Sequence, residues 1–195
     1  AHLVGNVMID TLVRMLPLIE KEPLPPGVQP PFVVATLHRP SNVDTQETLE
    51  SLLQFLGEVS THLPVLLPAH HRFTARLQEF GLESKIPKGL QIMEPLGYVP
   101  FLRLLLSSAC ILTDSGGIQE EAVYLHKRCY TLRSSTERPS TVESGSNRLI
   151  NIQAPQDRHA VLQFARQQGS TRISVPPLWD GQAGERILSI LKGLS

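Results

Sequence analysis

An α/β protein built on a Rossmann-like, doubly wound parallel sheet is predicted by three features of the sequence. Short, continuously apolar runs of four or five residues alternate with longer runs whose apolar positions recur at helical spacing. That alternation is the pattern of βαβ units whose strands are covered on both faces. Polar segments rich in Ser, Arg and His follow the apolar runs, as expected where ligands meet the carboxyl ends of parallel strands. Finally, the run Ala109-Cys110-Ile111-Leu112 passes through Thr113-Asp114-Ser115-Gly116-Gly117 straight into a helix-like segment.

The elements follow in order. Residues 7–19 carry apolar positions at helical spacing, and a proline-rich connector over 23–31 cannot continue that helix. The first strand is predicted over 32–36. Asp44-Thr45-Gln46-Glu47 looks like a capping box opening a helix that runs to about residue 62. A second strand at 64–67 leads to a helix over 73–80, ended by Gly81, and a third strand covers 90–93. A helix over 99–107, a strand over 110–113 and a helix over 117–125 come next. A fifth strand is expected at 129–132 and a sixth at 148–152. Helices over 157–167 and 183–194 complete the chain.

Composition narrows the function. Eighteen basic and eighteen acidic residues cancel, so no electrostatic attraction to nucleic acid or to an anionic membrane is expected. The longest apolar stretch, 101–112, is interrupted by Arg103, Ser107 and Ser108 and falls short of a membrane span. No secretory leader pattern opens the chain, and a cytoplasmic setting is the expectation. The first residue is Ala1 rather than Met, which suggests a piece of a longer protein. Cys110 and Cys129 lie in strand-like runs and read as small core residues.

The chemistry concentrates at the polar segments. Glycines without Cβ atoms let an anion approach the backbone, and the first N–H groups of a helix have no internal partner, so Ser115-Gly116-Gly117 suits a phosphate. Glu121, about one turn further, could accept hydrogen bonds from a vicinal diol. Phosphate plus diol suggests a nucleotide. Leu37-His38-Arg39-Pro40-Ser41-Asn42 after the first strand places an imidazole, a guanidinium and an amide at the same rim. Pro68-Ala69-His70-His71-Arg72 and Arg133-Ser134-Ser135-Thr136-Glu137-Arg138-Pro139 add to it. Arginine offers forked donors to phosphate oxygens, and histidine can move a proton. Each piece also has a plainer reading: a tight turn with a Ser cap, a satisfied loop histidine, and at Glu120 a solvated first-turn acid. Zinc is not expected, because His70 and His71 lack Cys, Asp or Glu partners at ligand spacing. There is no phosphate-binding Walker loop, no G-x-G-x-x-G after the first strand, and no G-x-S-x-G elbow.

Taken together, these segments resemble the non-hydrolysing UDP-N-acetylglucosamine 2-epimerase family. The matching blocks are Gly5-Asn6 with Ile9-Asp10, 36–44, 94–98, the ten residues 113–122, Thr136-Glu137-Arg138-Pro139, and Val142-Glu143 with Gly145-Ser146-Asn147. Asp180-Gly181 and Glu185-Arg186-Ile187 close the series. The resemblance implies one half of a glycosyltransferase-B-like, two-domain architecture. Residues 1–22 would be an interdomain helix segment and 23–195 the C-terminal Rossmann-like nucleotide-binding domain. The N-terminal domain, with the catalytic carboxylates, would be absent.

By that resemblance His38 would contact substrate near the reaction centre, Ser115, Gly116 and Gly117 the UDP phosphates, and Glu121 the ribose. Phe101 would pack near the uracil and Arg138 near the diphosphate. Arg39, Asn42, His70, Arg72 and Glu137 are further candidates around the cleft. The family reaction inverts C2 of a UDP-sugar by eliminating and re-adding UDP, with no cofactor and no metal, and the complete protein would be a homodimer. Pro68-Ala69-His70-His71-Arg72-Phe73 departs from the family's proline–x–His-Pro-Arg-Thr wording, and Leu149-Ile150-Asn151-Ile152 lacks its usual glycine. The wording at Cys129, 131–133 and 145–147 is nearer the branch acting on UDP-2,3-diacetamido-glucuronic acid. The donor half of a glycosyltransferase of the same architecture and a non-catalytic nucleotide-sugar-binding module remain alternatives.

Overall fold

Neighbouring residues of each central strand serve opposite faces of the sheet, as the two-residue period of a strand requires. The computed structural model describes residues 1–167 and 172–193. In it the strands are β1 (Val33–Thr36), β2 (Val65–Pro68), β3 (Leu90–Met93), β4 (Cys110–Thr113), β5 (Arg128–Thr131) and β6 (Asn147–Leu149). The helices are α1 (Val7–Ile19), α2 (Pro40–Val43), α3 (Gln46–Ser60), α4 (His71–Glu79), α5 (Tyr98–Ser107), α6 (Gly116–Tyr124), α7 (Pro139–Glu143), α8 (Pro155–Gln167) and α9 (Ala183–Lys192). Val33, Ala35, Val65, Leu67 and Leu112 pack with α3, α4 and α8, including Leu49, Phe55, Phe73 and Val161. Val34, Leu66, Ile111 and Cys129 pack on the other face with α1, α5 and α6, including Leu12, Ile19, Leu102 and Ala122. Two cores, one on each face, make the sheet doubly wound.

All five strand pairs are parallel, and their order is β3-β2-β1-β4-β5-β6. This is the Rossmann order. β1 sits between β2 and β4, with Val33 opposite Cys110 and Thr36 opposite Thr113. The chain reverses its winding direction there, so the connections leaving β1 and β4 part and open a crevice beyond their carboxyl ends. The rest of the fold positions that crevice.

Most predicted elements occur, with local shifts that have physical causes. The α3 cap is Thr45 rather than Asp44, with the Thr45 side chain accepting from Thr48 N. Asp44 is engaged elsewhere, accepting from Arg72 Nε at 3.0 Å, Arg72 Nη2 at 3.2 Å and Arg76 Nε at 3.2 Å. The sixth strand stops at Leu149 rather than 152, because Asn151 folds back. Its side-chain oxygen accepts from Gln153 N, and its own N–H donates to Asp157 at the start of α8. Two short helices, α2 and α7, were not anticipated; each begins on a proline, whose fixed φ and missing N–H suit a first helical position. The end of the last predicted helix, Leu194, lies outside the described residues. No helix among the described residues is long and apolar enough to cross a membrane. Both cysteines are buried and free, and burial pushes each thiol up to about 12.

The two ends of the chain lock to each other. The N-cap of α9 makes no side-chain cap bond. Instead Asp10 on α1 accepts from Ala183 N at 3.1 Å and Gly184 N at 2.7 Å, so a carboxylate from another helix satisfies two of its orphan donors. Gly5, at φ +100°, lies so close to Leu178 that an added Cβ would meet its carbonyl oxygen at 2.1 Å. Arg186 donates to Val4 O and pairs with Asp180. α1 packs against α5, α6 and α9.

Candidate functional site

At the crevice beyond β1 and β4 the decisive residue is Asp114, which is fully buried. An ionised carboxylate in that position must be paired and hydrogen-bonded. Its Oδ2 accepts from His38 N, Arg39 N and Asn42 Nδ2, each at 2.9 Å. Its backbone oxygen accepts from Arg39 Nε at 2.9 Å. Asn42 also donates to Leu132 O at 3.2 Å, tying β5 into the same knot. Asp114 thereby shapes the whole His38–Asn42 connection. The imidazole of His38 lies against it, Nδ1 standing 3.1 Å from Oδ1, although that oxygen has no aligned hydrogen bond. Asp114 was not singled out in the sequence. The available signal was a charged residue directly after an apolar strand, where burial demands partners.

α6 begins two residues later. Ser115 is its N-cap in extended conformation, and its side chain makes no capping hydrogen bond. Ser115 N instead donates to Thr113 Oγ1 at 3.0 Å, and that hydroxyl also meets Thr36 Oγ1 at 2.7 Å. The first turn of α6 is therefore uncapped by its own Ser and faces the crevice with partly exposed Ser115, Gly116 and Gly117. A Cβ built on Gly116 meets nothing within 4 Å, and one on Gly117 meets only Met8 Cε at 3.5 Å. Packing within the chain does not explain a glycine at 116.

Glu121 is buried on the same helix, 4% exposed. Burial raises its carboxyl to about 7; a hydrogen bond from Tyr98 opposes the rise and the charge of Glu120 adds to it. Tyr98 opens α5, so Glu121 stands between the starts of α5 and α6. Burial, then the Glu121 charge, drives the Tyr98 hydroxyl well above its ordinary value. Phe101, one turn further along α5, is half-buried and packs against the core of that face; Tyr98 is the more exposed aromatic.

Glu120 corrects the expectation of a solvated acid: it is 7% exposed. Its Oε1 accepts from Asn6 Nδ2 at 2.8 Å and lies 3.2 Å from Arg138 Nε. Arg138 is thus held on the α6 side of the crevice. Beside it an open cavity of about 410 Å³ is lined by Asn6, Glu120, Glu137, Arg138, Ser140 and Trp179. A buried network fixes this wall. Gln119 Nε2 donates to Ser115 O at 3.1 Å, while its Oε1 accepts from Thr136 Oγ1 at 2.6 Å and Asn147 Nδ2 at 3.0 Å. Asn147 in turn accepts from Thr131 and donates to Thr141. Gln119 and Asn147 therefore couple the mouth of α6 to the loop that carries Arg138.

The remaining candidates divide. His70 caps α4, its Nδ1 accepting from Arg72 N at 3.2 Å, with its ring 5.4 Å from that of His38. Burial, then the charges of His71, His38 and Arg72, hold His70 below the usual imidazole value. Arg39, Asn42, His38 and His70 thus share one rim. Arg72 forks onto Asp44, as described above. Glu137 is exposed and chelated by Arg133 at 2.6 and 2.8 Å, which holds its carboxyl down at about 2. Among the described residues no group of three or more His, Cys, Asp or Glu side chains is placed to hold a metal ion.

Known proteins are similar to this chain along nearly its whole length. Residues 1–192 match the family model described as UDP-N-acetylglucosamine 2-epimerase. The UDP-N-acetylglucosamine 2-epimerase of Methanocaldococcus jannaschii is 35% identical over 96% of this chain and 53% of its own length. The UDP-2,3-diacetamido-2,3-dideoxy-D-glucuronate 2-epimerase of Pseudomonas aeruginosa is also 35% identical, over 98% of this chain and 52% of its own. The crystal structure of the M. jannaschii UDP-GlcNAc 2-epimerase in complex with UDP-GlcNAc and UDP superposes with a TM-score of 0.83 at 33% identity, covering 98% of this chain and 54% of that one. Glycosyltransferase VinC, in complex with DTDP, shares the fold alone, with a TM-score of 0.50 at 16% identity over 86% of this chain and 40% of its own. The chain spans about half the length of the curated relatives it matches. It belongs to the UDP-N-acetylglucosamine 2-epimerase family.

Proposed function

We propose that this chain is the nucleotide-binding half of a UDP-sugar 2-epimerase that serves surface-polysaccharide precursors. One observation carries the reading: the uncapped start of α6, with open space over Gly116, lies at the switch point of the sheet beside the buried acid Glu121. Backbone N–H groups there would hold the diphosphate, with the positive end of the helix dipole behind them. Glu121 would accept hydrogen bonds from the ribose hydroxyls, and Phe101 or its neighbour Tyr98 would lie near the base. Arg138, steadied by Glu120, would face the diphosphate, and His38 the reacting sugar.

The chemistry fits a site that holds a departed anion. UDP leaves from C1 as the C2 proton is removed, giving a 2-acetamidoglucal; protonation of the opposite face and return of UDP complete the inversion. Preorganised donors that stabilise UDP as it departs lower that barrier. The acid/base carboxylates would come from a preceding half of the protein. The same reading makes the complete protein a cytoplasmic homodimer.

The complete protein, incubated with UDP-GlcNAc in deuterated water, is expected to place deuterium at C2, while residues 1–195 alone give no measurable exchange. Transfer of the sugar to an acceptor without C2 exchange would instead favour the glycosyltransferase reading, whose fold the chain shares.

A further inference from the structure

We infer that Asp114 is the positioning residue of His38: its buried carboxylate holds the imidazole proton on Nδ1 and leaves Nε2 as the nitrogen presented to a ligand at the rim. The inference rests on the proposed role of His38, but the pairing can be read without any turnover.

Three observations carry it. Asp114 is fully buried, and its Oδ2 is saturated by three donors, two of them the backbone N–H groups of His38 and Arg39. Its Oδ1 has no hydrogen-bond partner, yet His38 Nδ1 stands 3.1 Å away. A buried, unpaired carboxylate oxygen is costly, and a proton on Nδ1, 3.1 Å away, is placed to satisfy it. With Nδ1 against a buried acid and the side chain 40% exposed, Nε2 is the nitrogen left to the crevice. The hydrogen bond made by one ring nitrogen sets which form the other takes. Arg39 adds a donor to the backbone oxygen of Asp114 at 2.9 Å, so the acid stays fixed beneath the imidazole. His70, the nearest other imidazole, has its own Nδ1 engaged by Arg72 N and does not compete for the acid.

Asp114 also braces the loop after β1, so the test must separate bracing from proton placement. In Asp114→Asn the amide oxygen can keep the three donors now on Oδ2, while its NH2 group faces His38 Nδ1. Nδ1 must then accept, and the proton moves to Nε2. Nitrogen-15 spectra of residues 1–195, with His38 assigned by the signals lost in His38→Gln, read this directly. The expected result is the Nδ1–H form in the wild type and the Nε2–H form in Asp114→Asn. An Nε2–H form in the wild type overturns the inference, whether or not the variant folds; an unchanged form in a folded variant does the same. In the complete enzyme, Asp114→Asn is expected to lower kcat by ~10²-fold, the scale of acid–base assistance, with KM little changed. A wild-type kcat would contradict the role. Should the complete protein lack epimerase activity altogether, the spectra still decide the pairing, so the two failures are distinguishable.

Discussion

Glu121 shows how one residue can carry both a cost and a function. Its carboxyl is raised from 4.5 to about 7 chiefly by burial, so between those values the folded chain binds more proton than the unfolded one. The stability contributed by the neutral form is complete below about 4.5 and is lost as pH rises through about 7. Ribose hydroxyls that donate to Glu121 favour the ionised form. UDP affinity is therefore expected to rise with pH up to about 7, with proton release on binding. Calorimetry near pH 6 in two buffers of different ionisation enthalpy measures this. The diphosphate's own ionisation is common to both proteins, so the difference between wild type and Glu121→Gln isolates the residue. At pH 8, Glu121→Ala should lose about 1.5–3 kcal/mol of UDP affinity, the value of a hydrogen bond to a charged acceptor. Equal proton release in wild type and Glu121→Gln would remove Glu121 from the ribose.

At the scale of elements, α6 opens with two glycines although glycine is disfavoured in helices. Gly116 has no close neighbour that a Cβ would strike. Gly116→Ala is accordingly expected to leave urea stability unchanged or to raise it by up to ~1 kcal/mol, while weakening UDP binding at least tenfold. A variant that binds UDP normally would return Gly116 to the status of an ordinary turn residue. The elements legible in the sequence were those whose signal is local. The runs at 33–35, 65–67 and 110–112 are apolar at every position and buried, and the capping-box segment 44–47 and the glycines at 116–117 mark helix starts. What escaped depends on distant partners. Glu120 read as solvated because its burial and its partner Asn6 are set by α1, 114 residues away in sequence. Asp10 as the cap of α9, and Asp44 as the anchor of Arg72 and Arg76 rather than a cap of α3, likewise need the tertiary fold. Asp114 was visible within its motif, but its ties to His38, Arg39 and Asn42 arise only when β1 and β4 pair.

Across the whole molecule, the sheet order concentrates chemistry at one edge. β1 and β4 lie side by side at the switch point, so segments 75 residues apart in sequence meet through Asp114. The Gln119–Asn147–Thr141 network ties the opposite wall to the mouth of α6. The blocks near the two ends, 5–10 and 180–187, meet each other through Asp10, Gly5 and Arg186. They set α1 against α6 and thereby place Asn6 on Glu120. On the proposed reading, residues 1–195 would hold UDP without the rest of the protein, while turnover would require it. The most direct measurement is a UDP titration of this chain followed by amide proton–nitrogen correlation spectra. The largest shifts should fall on Gly116, Gly117 and Ile118, with Glu121 and Tyr98 next. Shifts confined to the cavity by Ser140 and Trp179, or none at millimolar UDP, would contradict a diphosphate held at the start of α6.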